Sequence, residues 1–228
     1  MTHAKGQPAT RTRLKVCCIA STREANMAIA AGADALGLVA RMPSGPGPID
    51  DDLIAAIADA VPAPVATFLL TSEVDPHAVV DHIRRTRVNT VQLVDDTVGT
   101  DVYAAVRRAC PAVRIVQVVH VRSAESVTLA LQAARHVDTL LLDSGNPAAQ
   151  VRELGGTGRV HDWSLSRAIV ENSPVPAFLA GGINPSNVAQ AIRQVRPFGI
   201  DLCSGVRTAG NLDPAKLTAL VQAMPTPP

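Results

Sequence analysis

The chain has 228 residues, of which 47% are hydrophobic but only 2% aromatic, and its formal net charge is +1. Its basic and acidic residues are scattered, which argues against a nucleic-acid or anionic-membrane surface and favours a small-molecule partner. A core built from Ala, Val, Leu and Ile is typical of barrel interiors, and a chain of this length fits a single α/β domain.

Short apolar runs alternate with helix-like stretches along the whole chain. Eight runs predict β-strands at residues 14–19, 35–40, 65–69, 90–93, 114–119, 139–143, 177–180 and 199–203. Eight stretches predict helices at residues 22–31, 50–60, 75–85, 100–108, 123–134, 163–171, 185–194 and 213–223. Eight alternating units predict a single (β/α)8 TIM barrel spanning residues 14–223.

An open doubly wound sheet is the main alternative fold. Its first strand would be followed by a glycine fingerprint, but Ile19 is followed by Ala20, Ser21 and Thr22. The closed barrel is therefore preferred.

The ends of the chain predict tails. Residues 1–13 carry no apolar stretch of a secretory signal and are expected to be a disordered tail, and residues 224–228 form a proline-rich tail. The apolar runs are far shorter than the about 20 residues that span a membrane. We therefore expect a cytoplasmic protein that binds neither membranes nor nucleic acid, as a monomer or a homodimer.

The four cysteines, Cys17, Cys18, Cys110 and Cys203, have neither metal-ligand spacing nor the pattern of a secreted disulfide framework. Adjacent Cys17 and Cys18 would point to opposite faces of a strand. We predict neither a metal site nor a cofactor.

Glycine-rich loops follow the last three predicted strands, at the barrel end where active sites lie. Glycine lets backbone N–H groups approach a phosphate closely, although it also ends strands for purely structural reasons. Phosphate binding is predicted for Gly156, Thr157, Gly158, Gly181, Gly182, Ser204 and Gly205.

Alternation places Lys15 and Cys17 on the same face of the first strand, where the cation would lower the pKa of the thiol. Cys17 could then be a base or a nucleophile, although free cysteines are more often inert core residues. Asp143 ends the sixth strand, where a carboxylate is costly unless it reaches the mouth of the barrel. Asp201, in the eighth strand, is a weaker candidate.

Several other polar residues are expected to be structural. Asp34 and Asp138 precede their strands and are interpreted as solvated turn residues at the opposite end of the barrel. His120 follows the fifth strand and is assigned a surface role. Trp163 is expected to open the sixth helix and to pack beneath the glycine loop.

Together these segments resemble phosphoribosylanthranilate isomerase, in order along the whole chain. The resemblance rests on Lys15-Val16-Cys17-Cys18-Ile19, the segment from Gly32 to Gly37, Leu141-Leu142-Asp143-Ser144, the segment from Gly155 to Gly158, the segment from Ala180 to Pro185 with Asn187, and the segment from Asp201 to Val206. It implies a cofactor-free Amadori rearrangement in tryptophan biosynthesis. Asp143 would be the acid that protonates the furanose ring oxygen, and Cys17 the base that removes the proton from C2.

Departures from the family pattern concentrate on one side of the mouth. The family has glycine where this chain has Cys18, and its turn arginine, which holds the anthranilate carboxylate, is missing from the stretch 42–48. Arg41 lies just upstream and could substitute only in a rebuilt loop. The family's histidine after strand four is absent from Gln92-Leu93-Val94-Asp95, and a glutamate becomes Arg207 beside the phosphate loop. The predicted substrate-binding residues are Lys15, Arg41, Gln92, Asp201 and Arg207.

Three functions remain open at this point. The chain could isomerise phosphoribosylanthranilate through a rebuilt carboxylate site. It could be a paralogue that acts on a different phosphorylated sugar or amino-sugar. It could also be a non-catalytic barrel that binds a phosphometabolite, although the presence of both Cys17 and Asp143 argues against that reading.

Overall fold

A computed structural model describes residues 11–145 and 161–225 of the chain. Eight parallel strands follow one another around a closed barrel, and β8 pairs with β1 to close it. The strands are β1 (Arg13–Val16), β2 (Ala35–Val39), β3 (Ala66–Thr71), β4 (Thr90–Leu93), β5 (Arg114–His120), β6 (Thr139–Asp143), β7 (Ala177–Leu179) and β8 (Gly199–Leu202). The predicted (β/α)8 barrel is confirmed.

A helix follows each strand and covers the outside of the barrel. The helices are α1 (Thr22–Ala30), α2 (Asp51–Ala60), α3 (Pro76–Thr86), α4 (Thr100–Ala109), α5 (Glu125–Ala133), α6 (Trp163–Asn172), α7 (Val188–Val195) and α8 (Pro214–Ala223). Four of them begin with a side-chain cap, since Ser21, Asp75, Asp162 and Asp213 each accept a backbone N–H of the first turn. Helix α6 begins at Trp163, as predicted, while the loop expected above this residue lies outside the described residues.

Two apolar layers pack on the two faces of the sheet. The inner layer fills the barrel with side chains from alternate strand positions, and Phe68 meets Phe178 edge to face at 6.1 Å between ring centroids. The outer layer packs aliphatic side chains of the strands against the helices. Both layers are largely aliphatic, as the composition predicts, and they leave the carboxyl ends of the strands as the open end of the barrel.

The amino-terminal end of the barrel is held by carboxylates. Asp34 accepts the backbone N–H of Leu14 at 2.8 Å and pairs with Arg11 and Arg13. Asp138 accepts the backbone N–H of Ile115 at 2.7 Å. The interpretation of these aspartates as solvated turn residues is therefore wrong, because each ties the start of one strand to its neighbour.

The barrel begins earlier in the chain than predicted. Strand β1 begins at Arg13, and the described chain already includes the ion pair of Arg11 with Asp34 at 2.7 Å. The predicted tail of residues 1–13 therefore extends too far, while residues 1–10 lie outside the described part of the chain.

A short structure that the sequence analysis did not predict follows β8. Residues Ser204–Val206 form one turn of 3-10 helix, and β9 (Arg207–Thr208) pairs antiparallel with β10 (Asn211–Leu212). Among the described residues no helix is both long and apolar enough to cross a bilayer.

Candidate active site

A cavity opens at the carboxyl ends of the strands and encloses about 700 Å³, including its open mouth. Seven strands contribute residues from their carboxyl ends or from the loops that follow them. Strand β5 contributes Val118. Its lining is Cys17, Cys18, Val39, Met42, Ser44, Gly45, Pro46, Leu70, Gln92, Val94, Val118, Leu141, Asp143, Ala180, Gly181, Gly182, Ile183, Asp201, Cys203 and Ser204. The structure thus brings Cys17 and Asp143 to one cavity.

Cys17 follows β1 directly and is only 5% exposed. Its backbone N–H donates to the Leu202 carbonyl at 2.7 Å, which fixes it against the end of β8. Gly37 makes room for the thiol, because a Cβ at that position would lie 2.7 Å from the Cys17 Sγ. A hydrogen bond from Cys18 and the charge of Lys15 lower the pKa of Cys17, although burial opposes this shift.

Lys15 lies below the floor of the cavity and is fully buried. Its Nζ is 2.9 Å from Asp201 Oδ1 and 5.2 Å from the centroid of the Phe68 ring. Burial opposes its charge, but Asp201 and the neighbouring thiols outweigh burial and raise the pKa of Lys15. The pair follows from barrel closure, since Lys15 and Asp201 are register partners on β1 and β8. Lys15 therefore acts on the cavity through its charge.

Asp143 is the last residue of β6 and is 7% exposed. Burial raises the pKa of its carboxyl group, and the Ser144 backbone N–H, which donates to Oδ1 at 2.7 Å, offsets this only in part. The carboxyl group is therefore biased towards its protonated form, which is the form that a general acid requires.

Two of the three predicted phosphate loops line the cavity, next to each other. Gly181 and Gly182 have φ angles of +83° and +66°, a region that favours glycine. Ser204 also lines the cavity, and Gly205 packs so tightly that a Cβ there would lie 2.1 Å from the Ile183 carbonyl oxygen. Gly156, Thr157 and Gly158 lie outside the described residues.

The part of the lining contributed by β2 to β6 is largely apolar, with one buried amide. Gln92 is 3% exposed, and its Oε1 has no hydrogen-bond partner within the described parts of the chain. The apolar side chains are Val39, Met42, Leu70, Val94, Val118 and Leu141. Gln92 therefore offers an acceptor to a ligand in otherwise apolar surroundings.

The two predicted arginines do not line the cavity. Arg41 is exposed. Arg207 is directed towards the chain itself: it donates to the carbonyl oxygens of Cys17 and Cys18 and pairs with Glu24 at 3.1 Å. This arginine holds the end of β1 that carries Cys17, and the contacts give it a supporting place behind the site.

The predicted surface role of His120 is wrong. The side chain is only 4% exposed, and its Nε2 lies 3.2 Å from the Val94 carbonyl oxygen. It is the register partner of Asp143 on the adjacent strand. Its position at the end of β5 was the available signal, because the residues that end barrel strands surround the mouth.

Comparisons with known proteins point to one family. The family model described as N-(5'-phosphoribosyl)anthranilate (PRA) isomerase matches residues 14–223. An N-(5'-phosphoribosyl)anthranilate isomerase of Halobacterium salinarum is 38% identical over 224 residues, which cover 95% of this chain and 97% of the relative. The enzyme of the same name from Methanosarcina acetivorans is 34% identical and is covered to 96%.

A solved structure agrees with these sequence matches. The crystal structure of phosphoribosyl anthranilate isomerase from Thermotoga maritima superposes with a TM-score of 0.76 at 26% identity, covering 93% of this chain and 98% of that one. Similarity in sequence and in fold therefore extends over nearly the whole barrel.

Proposed function

The chain belongs to the N-(5'-phosphoribosyl)anthranilate isomerase family, and from this premise we propose that it isomerises phosphoribosylanthranilate in tryptophan biosynthesis, with Asp143 as the acid and Cys17 as the base. One observation carries the proposal: an acid with a raised pKa and a thiol with a lowered pKa face the same cavity. Such opposed shifts identify an acid and a base. A cytoplasmic location is part of the proposal and is supported by the biosynthetic role of the family.

The first step needs a proton donor. Protonated Asp143 would give its proton to the furanose ring oxygen while the C1–O bond breaks and the substrate nitrogen forms a double bond to C1. The carboxylate that results is buried, so its tendency to regain a proton resets the acid for the next cycle.

The second step needs a base. The Cys17 thiolate would remove the proton from C2, and the electron pair of that C–H bond would form the C1–C2 double bond of an enolamine. The enolamine then tautomerises to the ketone. Lys15 favours the thiolate from below the cavity floor. The adjacent carbonyls are held by Arg207, which would keep the thiol in place during both steps.

The phosphate end of the substrate would lie at the glycine loops. Gly181, Gly182, Ser204 and Gly205 are grouped at the ends of β7 and β8, where (β/α)8 barrels commonly bind phosphate. Glycine at these positions allows backbone N–H groups to approach the phosphate oxygens.

The apolar part of the cavity lining, contributed by β2 to β6, supports a second candidate function. In this case the chain is a paralogue that performs the same rearrangement on a different phosphorylated amino-sugar. Burying a carboxylate against Leu70, Val94 and Val118 without a cation would be unfavourable. A phosphoribosylamine whose nitrogen carries an uncharged group would avoid this cost and could still use the Gln92 acceptor.

Kinetics with purified protein test the proposal. We expect turnover of phosphoribosylanthranilate, followed as loss of substrate fluorescence, and a decrease in kcat of about a hundredfold or more in Cys17→Ala and in Asp143→Asn. The control is Cys110→Ser, which changes a cysteine at the end of α4 and should keep the wild-type rate. Turnover that survives both active-site changes would contradict the proposed mechanism, and a folded wild type without turnover would favour the paralogue.

A further inference from the structure

Three cysteines meet where β1 and β8 end, and the proposed function uses only one of them. Cys17, Cys18 and Cys203 all line the cavity. The Sγ atoms of Cys18 and Cys203 are 2.8 Å apart, although the two residues are 185 positions apart in the sequence. We propose that Cys18 and Cys203 are a modification site, a dithiol pair that a low-molecular-weight disulfide oxidises to an internal disulfide beside the catalytic thiol.

The geometry of Cys18 brings its thiol to Cys203. Cys18 has a φ of +62°, in the left-handed region that L residues with a Cβ rarely adopt. This turn of the backbone lets Cys17 and Cys18 face one cavity, whereas adjacent residues of a regular strand point to opposite faces. Only a small approach is then needed, from 2.8 Å to the ~2.05 Å of an S–S bond.

The surroundings restrict the Cys18 side chain. Its Sγ lies 3.5 Å from the Pro46 carbonyl oxygen, and a Cβ at Gly47 would lie 2.8 Å from the Cys18 Cβ. Cys18 is only 4% exposed, whereas Cys203 is partly exposed. Cys203 is therefore the thiol that a small disulfide reaches first, and Cys18 is the thiol that closes the bond.

The chemistry is two successive thiol–disulfide exchanges. The Cys203 thiolate attacks one sulfur of the small disulfide, forms a mixed disulfide and releases one small thiolate. The Cys18 thiolate then attacks the Cys203 sulfur and releases the second. Both protein thiols are oxidised, the small disulfide is reduced to two thiols, and the two protons pass to those thiols through solvent.

The disulfide would alter the neighbouring base. In the reduced protein Cys18 is a hydrogen-bond donor that favours the Cys17 thiolate, and Lys15 assists it. A disulfide sulfur carries no proton to donate, so oxidation withdraws this support. This effect on turnover rests on the proposed function, whereas formation of the disulfide does not.

Peptide mapping after incubation with oxidised glutathione tests the pair directly. Trypsin should release residues 16–23, which contain Cys17 and Cys18, and residues 194–207, which contain Cys203. We expect a linked peptide, two hydrogens lighter than the sum of its parts, in the wild type and in Cys17→Ser. It should be missing from Cys203→Ser and from Cys18→Gly, where glycine suits the backbone angle. Cys110→Ser is the matched control and should form the linked peptide as the wild type does.

Turnover is measured on the same samples. We expect oxidised wild type to lose at least tenfold in rate and to recover with dithiothreitol, while treated Cys203→Ser keeps the rate of its own untreated sample. A glutathione adduct confined to Cys17 or Cys110, or no linked peptide at all, would overturn the proposal. A linked peptide in a protein that never turns over phosphoribosylanthranilate would support the pair and count against the proposed function alone.

Discussion

Burial favours the protonated form of both titratable groups proposed to carry the reaction, but the net shifts of their pKa values have opposite directions. It raises the pKa of Asp143, whereas at Cys17 the hydrogen bond from Cys18 and the charge of Lys15 outweigh it. The two residues share a cavity, so their different immediate neighbours cause the difference. A buried acid of this kind is kept at a cost to stability.

The change Asp143→Asn should therefore stabilise the fold while it removes activity. Asn is neutral, and its Oδ1 can still accept the Ser144 backbone N–H. Because the pKa of Asp143 is raised in the folded state, the wild type loses stability as the pH rises through that pKa. The gain in Tm of Asp143→Asn over wild type should be smallest below the ordinary carboxyl pKa of 3.8 and should grow with pH.

Thermal unfolding of both proteins across this pH range measures the effect. Asp59→Asn is the control, because Asp59 is an exposed partner of Arg87 and its pKa is lowered by that arginine. The control should gain no stability with rising pH. A Tm of Asp143→Asn that falls below the wild type at neutral pH would show that the carboxylate is stabilised in the fold.

Some of these residues could be predicted because local signals in the sequence mark them, and others could not. Alternation along β1 predicts Lys15 and Cys17, and the polar end of an apolar strand predicts Asp143. The direction of Arg207 and the burial of His120 depend on contacts with residues far along the chain, namely Glu24 and Val94. No local pattern contains that information.

Among the secondary-structure elements, the loops after β7 and β8 work as one unit. Gly205 sits against the backbone of Ile183, so any Cβ there would push the two loops apart. The loops are also braced from within, since the Asn187 side chain donates to the Gly182 carbonyl oxygen at 2.9 Å. Their spacing should therefore control how tightly phosphate is held.

We expect Gly205→Ala to raise KM for the phosphorylated substrate by about tenfold or more, a loss on the order of 1.4 kcal/mol in binding. Inorganic phosphate should protect this variant against heat less than it protects the wild type. Gly210→Ala is the control for backbone strain alone: its φ of +81° disfavours a side chain, but no atom beyond its chain neighbours lies within 4 Å of the added Cβ. An unchanged KM in Gly205→Ala, with the fold intact, would mean that these loops do not bind the phosphate.

The boundaries of an element could be predicted where an apolar run begins and ends abruptly in the sequence. Strands β4 and β6 are examples, and both have the predicted bounds. Helix α7 begins at Val188 although Pro185 was the expected start. Asn184 and Asn187 bond to each other and to Gly182, and this turn delays the helix. Side-chain bonding of this kind overrides the signal of a first-turn proline.

On the scale of the whole barrel, four aspartates lie at its two opposite ends. Asp143 and Asp201 face the cavity at the carboxyl end, whereas Asp34 and Asp138 bind strand backbones at the other end. The first pair belongs to the proposed active site, and the second ties the starts of neighbouring strands together. Changes at the two ends should therefore have separable effects.

Replacing Asp34 by Ala should lower the free energy of unfolding by about 1 to 3 kcal/mol, because the Leu14 N–H loses its acceptor. kcat at a temperature where the variant is folded should remain that of the wild type. Urea unfolding and kinetics on one preparation test both statements. Asp81→Ala, which removes an exposed ion pair with Arg84, is the control and should leave both unchanged. A stable Asp34→Ala with reduced kcat would contradict the division.

Eight alternating units were enough to predict the closed barrel, because each apolar run needs both faces covered and the run count matches the fold. The pairing that closes it could not be predicted in the same way. Lys15 meets Asp201 because β1 and β8 share a register, and the chain between them contributes no local trace of that contact.

Carbon-13 NMR with phosphoribosylanthranilate labelled at C1 of the ribose shows whether this barrel converts the substrate into its ketose isomer. We predict that the anomeric C1 signal is replaced by a methylene signal when wild-type protein is added, and that the anomeric signal persists with Cys17→Ala. An anomeric signal that persists with folded wild type, or that gives way only to free ribose 5-phosphate, would contradict it.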